Sequence, residues 1–183
     1  LENKLALARQ KAVVNVGCFI GATPTNLEEL VGAHHACGIK IFMGSSTGSL
    51  LVHEQFALEA IFGGTRKEQV IAVHCEDELR IRERSRALAE RTDAAAHSEI
   101  RDNQVAAIAC RRALELATRY SHRTHLVHVS TKDECELLRN RPAGVTAEVA
   151  PHHLWFTTAD YARLGGRLKM NPSLKSSEDV AAL

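Results

Sequence analysis

Apolar residues in this chain gather in short dense runs, and the stretches between them are charged and spaced like helices. Val13–Ile20 (VVNVGCFI), Ile39–Met43 (IKIFM), Gln69–His74 (QVIAVH), His125–Val129 (HLVHV) and Val145–Val149 (VTAEV) read as five strands. Residues 1–11 read as the end of a helix. Asn26 opens a second helix that runs to about Cys37 and stops at Gly38, with Glu28 and Glu29 near the positive end of its dipole. A third spans about His53 to Phe62. The charged stretch 77–98 reads as helix and then loop around Asp93–His97. A strong helix follows from about Arg101 to Tyr120, and Ser130–Glu134 opens a short one. Asn171-Pro172 lies in a loop, and Ser176–Asp179 starts another helix.

Strand–helix alternation of this kind calls for parallel strands joined by helical crossovers. No GxGxxG follows the opening strand, so a dinucleotide-binding sheet lacks its signature. The pattern predicts an α/β fold with about five parallel βα units; these would make most of a TIM (β/α)8 barrel with strands missing at both ends, the partial barrel that the family resemblance given below implies. Residues 1–183 form a single domain in this reading, the central part of a barrel without its first and last strands. An open barrel of five strands exposes apolar edges, so a partner chain, further segments or poor solubility are expected.

One strand carries a lysine. Alternation puts Lys40 on one face with Phe42, and Ile39 and Ile41 on the other. A lysine there is either an edge-strand charge that discourages aggregation or a functional group. His74 and His128 recur at the ends of apolar strands, the end where a parallel barrel carries its active site. Each is either a hydrogen-bonded core histidine or a ligand. His125, three residues before His128, is expected to face away from it. Two neutral imidazoles and an oxygen donor, with Glu76 two residues after His74, suit Zn²⁺. A lysine amine buried among apolar groups loses affinity for its proton and can take up CO₂ as a carbamate, which coordinates metal as a carboxylate does.

Composition narrows the classes further. With 183 residues, 45% hydrophobic, 25% charged and net +1, the chain has no electrostatic case for nucleic acid or an anionic membrane. No apolar run is long enough to span a bilayer, and the first ten residues do not read as a signal peptide. Five scattered cysteines without a CxxC pair read as reduced thiols, and a cytoplasmic location is expected. Gly44-Ser45-Ser46-Thr47-Gly48 lacks the Gly-Lys-Ser/Thr end of a P-loop and reads as an active-site loop. His152-His153 after Pro151 reads as a structural turn, Ser98 or a neighbour as the cap of the long helix, and Arg80–Arg91 as a solvated helix face. Trp155 and Phe156 are expected to pack between barrel and helices.

Gly38–Gly48 (GIKIFMGSSTG), Val73–Asp77 (VHCED), His125–Thr131 (HLVHVST), Glu148–His153 (EVAPHH) and Lys169–Leu174 (KMNPSL) together resemble the dihydroorotases of the class I-like branch of the amidohydrolase superfamily. Pro172-Ser173-Leu174-Lys175 departs from the usual Pro-Pro-Leu-Arg ending. The resemblance implies two zinc ions bridged by carbamylated Lys40, with His74 and His128 on the second metal and Asn171 over the pyrimidine ring. It implies reversible hydrolysis of dihydroorotate to N-carbamoyl-L-aspartate in pyrimidine biosynthesis. The family's first-strand His-x-His pair and substrate arginine would precede residue 1, and the general-base aspartate would follow residue 183. These 183 residues alone are therefore expected to be inactive. A homodimer or an aspartate transcarbamoylase partner is the expected association. The alternatives are a hydantoinase- or allantoinase-like cyclic amidohydrolase and a non-catalytic dihydroorotase-like scaffold subunit, against which the retention of Lys40, His74 and His128 together argues.

Overall fold

The computed structural model describes residues 1–46 and 50–183; Thr47 and Gly48, the end of the glycine-bounded loop, lie outside the described residues. Five strands form one sheet: β1 (Phe19–Gly21), β2 (Gly38–Phe42), β3 (Val70–His74), β4 (Thr124–Leu126) and β5 (Val145–Ala147). They lie in chain order, each parallel to the next. Among the helices that join them, α1 is Glu2–Lys11, α2 Leu27–Gly32, α3 Gln55–Gly64, α4 Glu78–Ala87, α5 Ala96–Ile100, α6 Asn103–Tyr120 and α7 Lys132–Leu138. The last three are α8 (Pro151–Trp155), α9 (Tyr161–Leu164) and α10 (Ser177–Ala182). Parallel strands in sequential order, each followed by a helix, are the repeating unit of a (β/α) barrel.

Register fixes the two faces of the sheet. Lys40 pairs with Ala72, Ala72 with His125, and His125 with Thr146, while Phe42 pairs with His74. Paired residues on neighbouring strands share a face, so Lys40, Phe42, Ala72, His74, His125 and Thr146 form one side. The other side, with Ile39, Ile41, Ile71, Val73 and Leu126, is fully buried. Leu58, Ile61 and Phe62 of α3 and Ala109, Ala113 and Leu116 of α6 complete that core. The helices therefore leave one face of the sheet free for polar groups.

Several boundaries differ from the sequence expectation. The first strand covers only Phe19–Gly21, and Val13 and Val14 are 97% and 72% exposed. An apolar run becomes a strand only where a neighbour pairs with it, and pairing with β2 begins at Phe19 opposite Gly38. The second helix stops at Gly32, where Ala33 leaves helical geometry and its N–H bonds the Leu30 carbonyl; at the other end Asn26 spends its side chain on Thr23 N–H and the Gly21 carbonyl and does not cap the helix. Asp102, not Ser98, caps α6, accepting from Val105 N–H. Ser98 hydroxyl bonds instead with the Tyr161 hydroxyl and the Leu174 carbonyl. The helix after β4 starts as expected, with a reciprocal capping box between Thr131 and Glu134.

A second, smaller cluster of Tyr161, Leu168 and Leu174, with Phe156 and Met170 packed against it, carries the segment around Asn171. Phe156 packs against this small cluster, not between the barrel and its helices as expected, and Trp155 is 80% exposed. The two aromatics give a direct test of where the stability lies. Phe62→Ala is expected to lower the free energy of unfolding by about 3–5 kcal/mol, while Trp155→Ala changes it by less than about 0.5 kcal/mol. Urea unfolding of both variants checks the contrast.

Candidate functional site

His74 is the last residue of β3 and is fully buried. Its Nδ1 lies 3.0 Å from Nε2 of His128, the rings nearly perpendicular at 78°. His128 reaches that position through its backbone. It has φ +47°, a left-handed value uncommon for a residue with a side chain. Regular alternation from His125 would put His128 on the helix-covered face. The left-handed turn ends β4 at Leu126 and brings the imidazole round to His74.

Lys40 occupies the same sheet face one layer below. Its ammonium sits 4.1 Å from the centre of the Phe42 ring and donates to the Ile41 carbonyl at 3.1 Å. Phe42 in turn tilts against His74, ring centres 5.7 Å apart. Burial lowers the Lys40 pKa from its usual 10.5 to about 8, with Cys75 and Glu148 opposing the shift. Burial is also the main reason the His128 imidazole falls to about 3, assisted by His74 and Lys40. Both groups are thereby biased toward their neutral, nucleophilic or ligating forms.

Glu76 is not turned toward the two histidine nitrogens that face each other. Its Oε2 lies 2.9 Å from the far nitrogen of His74, Nε2, and pairs with the Arg101 guanidinium. Burial raises the Glu76 pKa, yet the contacts with His74 and Arg101 outweigh it and hold the carboxyl below its usual range. The loop after β2 approaches closely enough that a Cβ on Gly44 would meet the Glu76 carbonyl at 2.6 Å. Only glycine fits there without displacing backbone. Glu78 reinforces the approach, accepting from both the amide and the hydroxyl of Ser45 at 2.7 and 2.6 Å.

His125 stays outside this cluster, as expected, for a different reason. Register places it on the same face as Lys40 and His74, but in the lower layer, where it bonds Thr146 at 2.8 Å and lies 3.4 Å from Glu148. Asn171 sits in a loop that is pinned through its carbonyls. His97 Nε2 contacts the Met170 carbonyl at 2.8 Å, His153 Nε2 the Pro172 carbonyl at 3.1 Å, and Ser98 hydroxyl the Leu174 carbonyl. His153 thus belongs to a helix, α8, and clamps the loop. Arg80 is drawn from the expected solvated face into a two-pronged pair with Asp102.

Seven buried side-chain polar atoms lack a hydrogen-bond partner among the described residues, and five of them belong to His74, Glu76, His128, His153 and Asn171. At the two histidines these atoms are His74 Nε2 and His128 Nδ1, the nitrogens turned away from the facing pair, so they do not mark the space between the rings. Two nitrogens sharing one tetrahedral zinc lie about 3.3 Å apart at ordinary Zn–N lengths. The His74–His128 separation of 3.0 Å is shorter than that edge and is also the length of a hydrogen bond between the two rings. Among the described residues no three His, Cys, Asp or Glu side chains converge as a metal site. Glu76 and Arg101 were not legible in these roles. The spacing of Glu76 from His74 marked it only as an oxygen donor, and nothing near Arg101 signals its contact.

No family model matches the chain. A dihydroorotase of Methanosarcina mazei is 35% identical over 193 aligned positions, which take in 100% of this chain and 42% of that protein. An allantoinase of Rubrobacter xylanophilus is 34% identical, over 98% of this chain and 42% of the relative. The solved L-hydantoinase (dihydropyrimidinase) of Arthrobacter aurescens superposes with a TM-score of 0.88 at 28% identity, covering 99% of this chain and 42% of that one. The chain thus spans less than half the length of these relatives. The fold and these likenesses define the class, a stretch of TIM-type barrel from the cyclic amidohydrolases. The relatives of 30% identity or more over nearly all of this chain include dihydroorotases and the allantoinase.

The buried histidines make the fold acid-sensitive. Burial lowers the His153 pKa from 6.5 to about 4. Between those values the unfolded chain binds more protons, so His153 contributes stability that is fully present above pH 6.5 and lost as pH falls to about 4. The loss amounts to a few kcal/mol at most, at about 1.4 kcal/mol per unit. His153→Gln is expected to flatten part of the decline in urea midpoint between pH 7 and pH 4.5. An equally steep decline in the variant contradicts this.

Proposed function

We propose that this chain carries part of the metal centre and the substrate loop of a dihydroorotase-type zinc amidohydrolase. Residues 1–183 are read as one domain, the central part of its barrel. The observation that carries the proposal is the facing pair of His74 Nδ1 and His128 Nε2, at the same end of the same sheet face as a lysine whose pKa is lowered to about 8.

In this reading His74 and His128 hold one zinc, and Lys40 joins them after reacting with CO₂. The neutral Lys40 amine attacks the CO₂ carbon, a C–N bond forms, and the amine proton leaves to water. The carbamate that results, its negative charge on the former CO₂ oxygens, would be a carboxylate-like ligand for zinc. Bound zinc supplies Lewis acidity toward a ring amide carbonyl and lowers the pKa of water. Phe42 keeps water from the Lys40 stem, and the fixed backbone around Asn171 presents its side chain to a polar ring. Asn171 Oδ1 is buried without a partner, in keeping with a group reserved for substrate.

The substrate of this reading is dihydroorotate, in equilibrium with N-carbamoyl-L-aspartate. The likeness to a hydantoinase structure and to an allantoinase supports a second reading, a related cyclic amide as substrate. Comparing turnover of dihydroorotate, hydantoin and allantoin by the full-length protein separates them. On the leading reading dihydroorotate is turned over fastest, and Lys40→Ala, His74→Ala and His128→Ala each lower kcat/KM at least about 100-fold. The 183 residues alone turn over none of the three. Intact-mass analysis of the zinc-loaded full-length protein under CO₂ is expected to show one added CO₂, absent in Lys40→Ala. Preferred turnover of hydantoin or allantoin rejects dihydroorotate, and full activity in Lys40→Ala rejects the metal reading.

A further inference from the structure

The contacts made by Glu76 and Arg101 are unusual in reaching three separate segments at once. Glu76 is fully buried, and both of its contacts fall on one oxygen, Oε2: His74 Nε2 at 2.9 Å and the Arg101 guanidinium. The same guanidinium donates to the Ser45 carbonyl in the loop after β2. Arg101 then uses its own carbonyl in the opposite direction, accepting from Ser173 hydroxyl at 2.9 Å and from Lys175 Nζ at 2.6 Å. Lys175 is itself buried and also donates to Ser173 hydroxyl at 2.7 Å. Arg101 is therefore tied to His74 through its side chain and to the Asn171 loop through its main chain.

We infer that Glu76 and Arg101 are a positioning pair for His74: Glu76 accepts the Nε2 proton, so that Nδ1 is left bare toward His128, and Arg101 fixes Glu76 while anchoring the Asn171 loop to the same point. The inference rests on the metal reading of His74 and His128 for its purpose, though not for its geometry. An imidazole has one proton to place when neutral, and the partner of one nitrogen decides the state of the other. A buried carboxylate beside Nε2 selects the tautomer with Nδ1 free. The imidazole Nε2 is at contact distance from Oε2 without being aligned as a hydrogen bond. Arg101 matters because its guanidinium holds the same oxygen, Oε2, that faces His74 Nε2, and so fixes where the acceptor lies.

The pair also gives a physical route from ligand to loop. A shift in Arg101 moves the acceptor of Ser173 and Lys175, two and four residues after Asn171, while it alters the setting of His74. A merely structural ion pair would stabilise the fold without dictating which nitrogen of His74 carries the proton.

Long-range ¹H–¹⁵N spectra of the imidazoles in the metal-free chain, at pH 7.5, read that proton directly and need neither zinc nor substrate. The expected result is His74 protonated at Nε2, with Nδ1 bare. Glu76→Ala is expected to populate both tautomers and to weaken zinc binding, followed by chelator competition, about 10–100-fold. Arg101→Ala is expected to shift both the His74 ring signals and the Asn171 side-chain amide, and Arg101→Lys to restore both in part. A wild-type His74 protonated at Nδ1 overturns the inference whether or not any variant folds. An unchanged tautomer in folded Glu76→Ala, or an Asn171 signal indifferent to Arg101→Ala, overturns it as well. Failure to bind zinc with the Nε2 tautomer intact counts against the metal reading only.

Discussion

Everything at the site depends on the parallel, in-register pairing of β2 with β3. Lys40 opposite Ala72 and Phe42 opposite His74 commit one face of the sheet to polar groups and the other to the core. Parallel strands are stable in this setting because α3 and α6 cover Ile39, Ile41, Ile71 and Val73 completely. Slipping the register by one residue would carry Lys40 and His74 into that apolar layer and bring isoleucine and valine to the site. The cost of burying two unpartnered polar groups under two helices makes the register robust. Core packing and site assembly are thus one constraint.

On that frame the site is assembled by small departures from regular structure. His128 leaves its strand through a left-handed backbone, and Gly44 lets one loop lie against the next with no room for a side chain. Both place a group where the regular elements would not. Burial then sets the chemistry: it favours the neutral forms of Lys40 and His128, while His74 and Arg101 hold the Glu76 carboxyl below its usual range in the same surroundings. The Asn171 loop is held by contacts to its carbonyls and by the side chains of Ser173 and Lys175, none of which uses the Asn171 side chain.

The strand order and the facing of Lys40 were legible because alternation needs only the apolar pattern, and Ile39 and Ile41 frame that lysine unambiguously. The partnership of His74 and His128 was legible as strand-end position and motif order, not as geometry. Simple parity failed at His125 and His128: the first does share the site's face, and the second joins it only by breaking the strand. A single positive φ has no signature in a run such as His-Leu-Val-His-Val. Val13–Val16 illustrates the opposite failure, an apolar run with no neighbouring strand to pair with it. Arg101, far from Glu76 in sequence and at the edge of a helix, could not be matched to its carboxylate before the chain was folded.

The central claim is that His74 and His128 present their nitrogens to one metal ion. X-ray absorption at the zinc edge of the zinc-loaded chain measures that arrangement. The account predicts imidazole nitrogen in the first shell at about 2.0–2.1 Å, with imidazole scattering reduced in His128→Ala. A shell of oxygen alone, a sulfur shell from the cysteines, or a spectrum indifferent to the loss of His128 would contradict it.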